Sequence, residues 1–315
     1  MKSKKLYILF SILFLSVSSC ANDERMETSM NQVKPLDLSP YSSAAPAKPV
    51  NLLFIHHSTG GQLLADNGPD IGKNCIYKTH PNGGGLRRLL EQNNYIVHEA
   101  SYGSIIGDKT DICDWNTKFR DQMDKVLVCK NQDEVLAGDE KNSIVIFKSC
   151  FPNSWIDADG MEPGDPDSCL KTTANYKAVY RSLLGYFQAQ PDTLFIVMTA
   201  PPNAMTTLGR IKLIIKHIIG KSDSYESLGK RVRMFNNWLK DVDKGWLKDY
   251  RHNNVVVFDY YDVLTDHGRS DWSIYGSNGG SDSHPSSVGN TKAADEFVPF
   301  LNKSLNRKMT SSQKG

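Results

Sequence analysis

Five short apolar runs recur along the chain, each closing in a polar cluster. The first, Val50–Ile55, is too short for a typical helix and lies between Pro49 and a glycine pair, so it reads as a buried strand. Residues 95–100, 143–148, 193–198 and 254–259 repeat the pattern, and residues 143–147 are nearly all apolar, as in a sheet covered on both faces. Helical spacing begins at Gln62 and recurs over residues 86–90, 118–128, 173–188, 208–219, 230–246 and 291–305. This alternation predicts an α/β fold of three layers, α/β/α, around a five-stranded parallel, flavodoxin-like sheet. No internal repeat is visible, and residues 50–306 form one predicted domain followed by a polar tail at 307–315.

The N-terminus has a different character. Lys2, Lys4 and Lys5 precede an apolar run over residues 6–17, and Ser18-Ser19-Cys20 follows, the pattern of a secretory signal over residues 1–19. A cysteine directly after small residues resembles the bacterial lipobox, which implies a lipid anchor on Cys20; the alternative is a plain signal cleaved nearby. Asp23-Glu24 resembles the acidic export signal of surface lipoproteins in some Gram-negative lineages. Residues 20–49 lack periodicity and read as a disordered tether. The expected location is the cell envelope, as an outer-membrane or surface lipoprotein, with the lipid as the membrane contact.

Composition narrows the partners. With 39% hydrophobic and 23% charged residues and a net charge of +2, the chain is an ordinary globular one with no pull towards nucleic acid. Five cysteines remain beside Cys20, an odd number in a disulfide-permissive setting, so at least one is free. The expected bridge joins Cys150 to Cys169 across a Pro-, Gly- and Asp-rich loop. The acids at 108–114 and 157–167 lack the spacing of a calcium loop, so neither metal nor cofactor is expected.

Candidate chemistry lies at the strand ends. Ser58 follows the first strand, Gly103 the second, Asn153 the third and Asn203 the fourth, and Asp282 and His284 precede the last helix. Each alone reads as a cap or turn residue. In a parallel sheet, however, strand ends lie along one edge, where residues distant in sequence meet.

In this order the residues resemble the SGNH, or GDSL-like, hydrolase superfamily, in a divergent branch with a His-His-Ser-x-Gly motif. His57-Ser58 stands where that family has Asp-Ser, Phe151-Pro152-Asn153 where it has Gly-x-Asn-Asp, and Asp282 is two residues before His284 instead of three. The resemblance implies Ser58 as nucleophile, His284 as base, Asp282 as its orienting acid, and Gly103 and Asn153 joining the Ser58 amide as oxyanion donors. His57 and Asn203 are expected to contact substrate, and His56 to be a buried, hydrogen-bonded imidazole. The implied function is an exported serine esterase removing short acyl groups, O-acetyl above all, from a carbohydrate or an acylated small molecule. The competing readings are a non-catalytic glycan-binding lipoprotein of the same fold and an acyltransferase using the same residues. Residues 206–221, basic and apolar, are expected to pack as an excursion, with a lid or a membrane-surface helix as alternatives.

Overall fold

Alternate residues of each predicted strand bury into two separate apolar clusters, which is why the runs carry almost no polar positions. The computed structural model describes residues 33–312. The expected signal segment, Cys20 and residues 20–32 of the expected tether lie outside the described residues, as do residues 313–315. Strand β1 (Val50–Ile55) leads into helix α1 (Ser58–Leu64). A small sheet follows, of β2 (Asp66–Asn67), β3 (Ile71–Lys73) and β4 (Ile76–His80), in order β2-β4-β3. Next come α2 (Leu86–Gln92), β5 (Tyr95–Ala100), α3 (Asp114–Asp121), α4 (Met123–Val128) and β6 (Ile144–Phe147). The second half contains α5 (Thr173–Gln188), β7 (Leu194–Met198), α6 (Thr207–Ile218), α7 (Tyr225–Lys240), β8 (Val255–Phe258) and α8 (Tyr260–Leu264). A single turn α9 (Ser277–Gly280), strand β9 (Asp282–Pro285) and α10 (Ser287–Ser312) complete it.

The main sheet has the order β5-β1-β6-β7-β8, and every neighbouring pair is parallel. This is the expected α/β/α fold. On one face Leu53, Ile55, Val145, Phe147, Phe195 and Val197 pack under α3, α4, α5 and α7. On the other, Leu52, Phe54, Ile144, Ile146, Ile196 and Val256 pack under α1, α2, α8 and α10. Because connections run to opposite sides after β1, the carboxyl ends of β1 and β6 flank a crevice, the usual ligand position in such sheets.

Several expectations change. Between α1 and α2 the chain holds the small sheet, whose short strands, exposed in β2 and β3 and half-buried in β4, carry too little alternation to be seen. The helix expected over 118–128 breaks at Gln122 into α3 and α4. The last helix runs on through the expected tail to residue 312. Residues 33–49, expected within the tether, lie on the domain: Leu36 packs against the core, and Asn302 and Asn306 donate to the Ser43, Ser42 and Ala44 carbonyls. Backbone groups satisfied by side chains of α10 hold a segment that has no periodicity of its own.

The expected Cys150–Cys169 bridge is corrected to Cys113–Cys169. Cys150, three residues past β6, points at the start of α1, whereas the loop after it folds back over α3, with Asn116 Nδ2 donating to Asp167 Oδ1 at 2.7 Å. The bridge closes a separation of 56 residues. Replacing both cysteines, Cys113→Ser with Cys169→Ser, is therefore expected to lower unfolding free energy by about 4 kcal/mol through the added freedom of the unfolded chain. Urea melts of the double variant and the parent measure it; a change under about 1 kcal/mol contradicts the chain-entropy account.

Candidate active site

The start of α1 is built by close approach. Gly60 and Gly61 lie inside the helix; a Cβ on Gly61 would fall 1.8 Å from the Cys75 carbonyl oxygen, and one on Gly60 would fall 2.4 Å from His56 Cβ. The glycine pair is thus demanded by packing against β1 and the small sheet. Ser58 opens the helix, so its own amide is among the first-turn N–H groups without an intrahelical acceptor.

Facing it, residues 276–285 form a hairpin whose two sides bridge at Gly276 to Pro285 and Ser277 to Asp282. Asn278, Gly279 and Gly280 all take positive φ, which glycine adopts at little cost, and this turns the chain in three residues. Asp282 and His284 are alternate residues of β9 and so share one side of the strand. The two-residue spacing therefore suits a carboxylate–imidazole contact. His284 Nδ1 donates to Asp282 Oδ1 at 2.8 Å, and the His284 amide donates to the same oxygen at 3.0 Å. With that proton on Nδ1, Nε2 is left to accept from the Ser58 hydroxyl, 3.0 Å away and 226 residues earlier in the chain. The edge of Phe151 packs against the imidazole, ring centres 4.9 Å apart. Burial works against the charge on Asp282, but the His284 amide and ring and the Ser277 hydroxyl outweigh it and hold the carboxyl below its ordinary range. What this carboxylate adds to stability is therefore present above the ordinary carboxyl value and is lost as pH falls through its lowered one.

The other expected residues lie in the walls. Asn153 Nδ2 donates to Asp111 Oδ1 at 2.7 Å, and its Oδ1 accepts from the Ile112 amide at 2.9 Å, so it ties the turn after β6 to the loop after β5. Gly103 has a φ of 80°, its amide is 3.4 Å from Asp108 Oδ1, and it lines a surface groove of about 590 Å³ with Ser104 and Lys118. Among the described contacts neither reaches Ser58. His57 Nε2 donates to the Gly107 carbonyl at 2.7 Å while its ring stacks on Tyr102 at 3.6 Å, and burial pushes it down to about 4. Asn203 spans two loops, donating to the Ser154 carbonyl at 2.8 Å and accepting from the Ser273 amide. His56 is fully buried, with Nδ1 donating to the His57 carbonyl and Nε2 2.8 Å from Glu99 Oε2; burial above all pushes it down to about 3.

A second group, not anticipated from the sequence, lies behind Ser58. Lys148, at the end of β6, is buried with its ammonium on Thr59 Oγ1 and 3.2 Å from the Ser149 carbonyl. The Thr59 hydroxyl lies 3.3 Å from Cys150 Sγ, and that sulfur is 3.8 Å from Ser58 Oγ. The available signal was a lysine closing an otherwise apolar strand, since a buried cation needs a partner. Burial opposes ionisation of Cys150, yet the Lys148 charge and hydrogen bonds from the Thr59 hydroxyl and amide outweigh it and hold the thiol below its ordinary range. Burial raises Cys75, and raises Cys129 to about 12. Near neutral pH, iodoacetamide should therefore modify Cys150 first, about ten times faster than Cys129, because the thiolate is the reactive form. Peptide mass spectrometry over a time course reads the order; Cys129 labelled first would contradict it.

No protein-family model matches the chain, and no curated protein sequence matches it. Among solved structures it is similar to a Bacteroides fragilis protein provisionally classed as an acylhydrolase, at 14% identity over 90% of this chain and 98% of that one, with a TM-score of 0.40. A carbohydrate esterase family 2 enzyme with a carbohydrate-binding domain, from Corynascus thermopiles (Myceliophthora fergusii), matches at 11% identity over 84% and 68% of the two chains, TM-score 0.38. An acetyl xylan esterase from the rumen bacterium Butyrivibrio proteoclasticus matches at 14% over 83% and 65%, TM-score 0.37.

Proposed function

We propose that this protein is an exported serine esterase of SGNH type that removes short acyl groups, acetyl first among them, from a carbohydrate. The observation that carries the reading is the unbroken line Asp282–His284–Ser58, with contacts of 2.8 and 3.0 Å. A serine hydroxyl is a poor nucleophile until a base removes its proton, and a base serves only in the right tautomer. Here Asp282 holds the Nδ1 proton, so Nε2 takes the Ser58 proton as Oγ attacks the ester carbonyl. The Ser58 amide at the open end of α1 donates to the developing oxyanion, a class of contact worth about 3 kcal/mol. His284 then returns the proton to the departing alcohol oxygen; water, deprotonated in turn by Nε2, attacks the acyl carbon, and the acid leaves as His284 gives that proton back to Ser58 Oγ. Asn153 and His57 act through the loop they hold, because their donors are committed to Asp111 and Gly107.

Export agrees with the Cys113–Cys169 disulfide, since such bonds persist in oxidising compartments. An envelope lipoprotein held by lipid on Cys20 remains part of the proposal. A fluorophosphonate probe tests the active serine directly. It should attach to Ser58 and to no other serine, at a rate abolished in His284→Ala. Absence of labelling in the folded wild type would return the chain to the glycan-binding reading. Release of acetate from acetylated xylan, compared with p-nitrophenyl butyrate and longer esters, tests the acyl and polymer assignments.

A further inference from the structure

Helix α6 follows β7 on the rim that carries the site, and it turns its apolar side away from the protein. Leu208, Ile211, Ile214, Ile215 and Ile218 are between 45% and 75% exposed. At helical spacing these five fall within an arc of about 120°. Leu213 lies on the opposite side and is the one buried residue of the helix, packed with Leu228 and Trp272. The helix is therefore seated by one leucine while a wider apolar face looks outwards. Expected as a packed excursion, the segment is instead exposed, because its apolar positions outnumber what one seam against α7 can cover.

Charge says what that face suits. Between residues 206 and 222 the chain carries Arg210, Lys212, Lys216 and Lys221, with His217, and no aspartate or glutamate. By the same spacing Lys212 and Lys216 border the apolar arc on one side, and Arg210 and His217 on the other. Arg210 also lies over the Tyr225 ring at 4.8 Å and approaches Glu226 at 4.0 Å, so it is braced along the border. We propose that α6 is a docking surface for an anionic phospholipid bilayer, lying flat with its isoleucines among the acyl chains and its flanking cations at the headgroups. An apolar face between two basic borders is the arrangement an interfacial helix needs, since long cationic side chains reach up to phosphates while their stems stay in apolar surroundings. A second copy of the chain fits less well, because a two-fold contact would set these cations against themselves.

Docking would also orient the molecule. The Ala204 amide, just before α6, donates to Ser283 Oγ at 3.0 Å, next to His284. The rim bearing the candidate site would thus face the lipid surface. The inference stands apart from the esterase reading and from the anchor on Cys20.

The test uses the mature chain with Cys20→Ser, which carries neither leader nor acyl group. Flotation is measured with vesicles of phosphatidylcholine alone and with phosphatidylglycerol mixed in at roughly one part in three. The bound fraction should be about tenfold higher on the mixed vesicles and should fall with salt. Ile211→Glu with Ile215→Glu should lose about tenfold, and Lys212→Gln with Lys216→Gln should lose the preference for phosphatidylglycerol. Both pairs sit on the exposed face, so circular dichroism and p-nitrophenyl acetate hydrolysis should be unchanged. Equal flotation by wild type and the isoleucine pair overturns the proposal, as does no flotation at all. A dimer in light scattering that the isoleucine pair dissolves, without vesicle binding, overturns it in favour of self-association. A changed KM with unchanged flotation overturns it in favour of a lid.

Discussion

Ser58→Ala should lower kcat/KM for p-nitrophenyl acetate by at least about 10³-fold while leaving the fold intact. The hydroxyl makes two contacts of note, with His284 Nε2 at 3.0 Å and Cys150 Sγ at 3.8 Å, and supports no packing that alanine would disturb. Its removal deletes the attacking oxygen and leaves the amide, the imidazole and the binding surface in place. What remains should be slow, base-assisted attack by water. Thermal melts of the two proteins should superimpose, which separates loss of chemistry from loss of structure. Equal rates in variant and wild type would remove the esterase reading altogether.

Asp282→Asn should cost about 10³- to 10⁴-fold, by a different route. The carboxylate accepts from His284 Nδ1, from the His284 amide and from Ser277 Oγ at 3.2 Å. An asparagine in its place can turn its NH₂ towards Nδ1, which then accepts, and the ring proton moves to Nε2. In that tautomer the imidazole faces Ser58 with a donor and cannot take its proton. The loss should appear in kcat more than in KM, since the substrate surface is untouched. The variant should also lose less stability in acid than wild type, because the lowered carboxyl value is part of what acid removes. A variant within threefold of wild type would show that Asp282 merely shapes the hairpin.

Much of the frame was legible because it depends on local pattern. Runs such as Ile144–Phe147 are apolar on both faces, and only a sheet covered on both sides calls for that. Ser58, Asp282 and His284 were legible because strand ends in a parallel sheet share an edge. The small sheet was not, since strands of two to five residues, most of them exposed or only partly buried, leave no periodic trace. Nor were the roles of Asn153, His57 and Asn203, polar residues whose partners lie on other loops, or the cluster of Lys148, Thr59 and Cys150. The cysteine pairing went astray because proximity along the chain stood in for proximity in space.

The amino-acid order by itself determined the alternation of strand and helix, the parallel sheet, and a serine and a histidine at its rim, because burial imposes a period that any stretch of chain displays. Only the tertiary structure decided that Cys113 meets Cys169, that a lysine lies behind the serine, and that the isoleucines of α6 face outwards. Those outcomes depend on which surfaces meet after the chain has folded back on itself, and contacts between segments tens to hundreds of residues apart leave no local period to read.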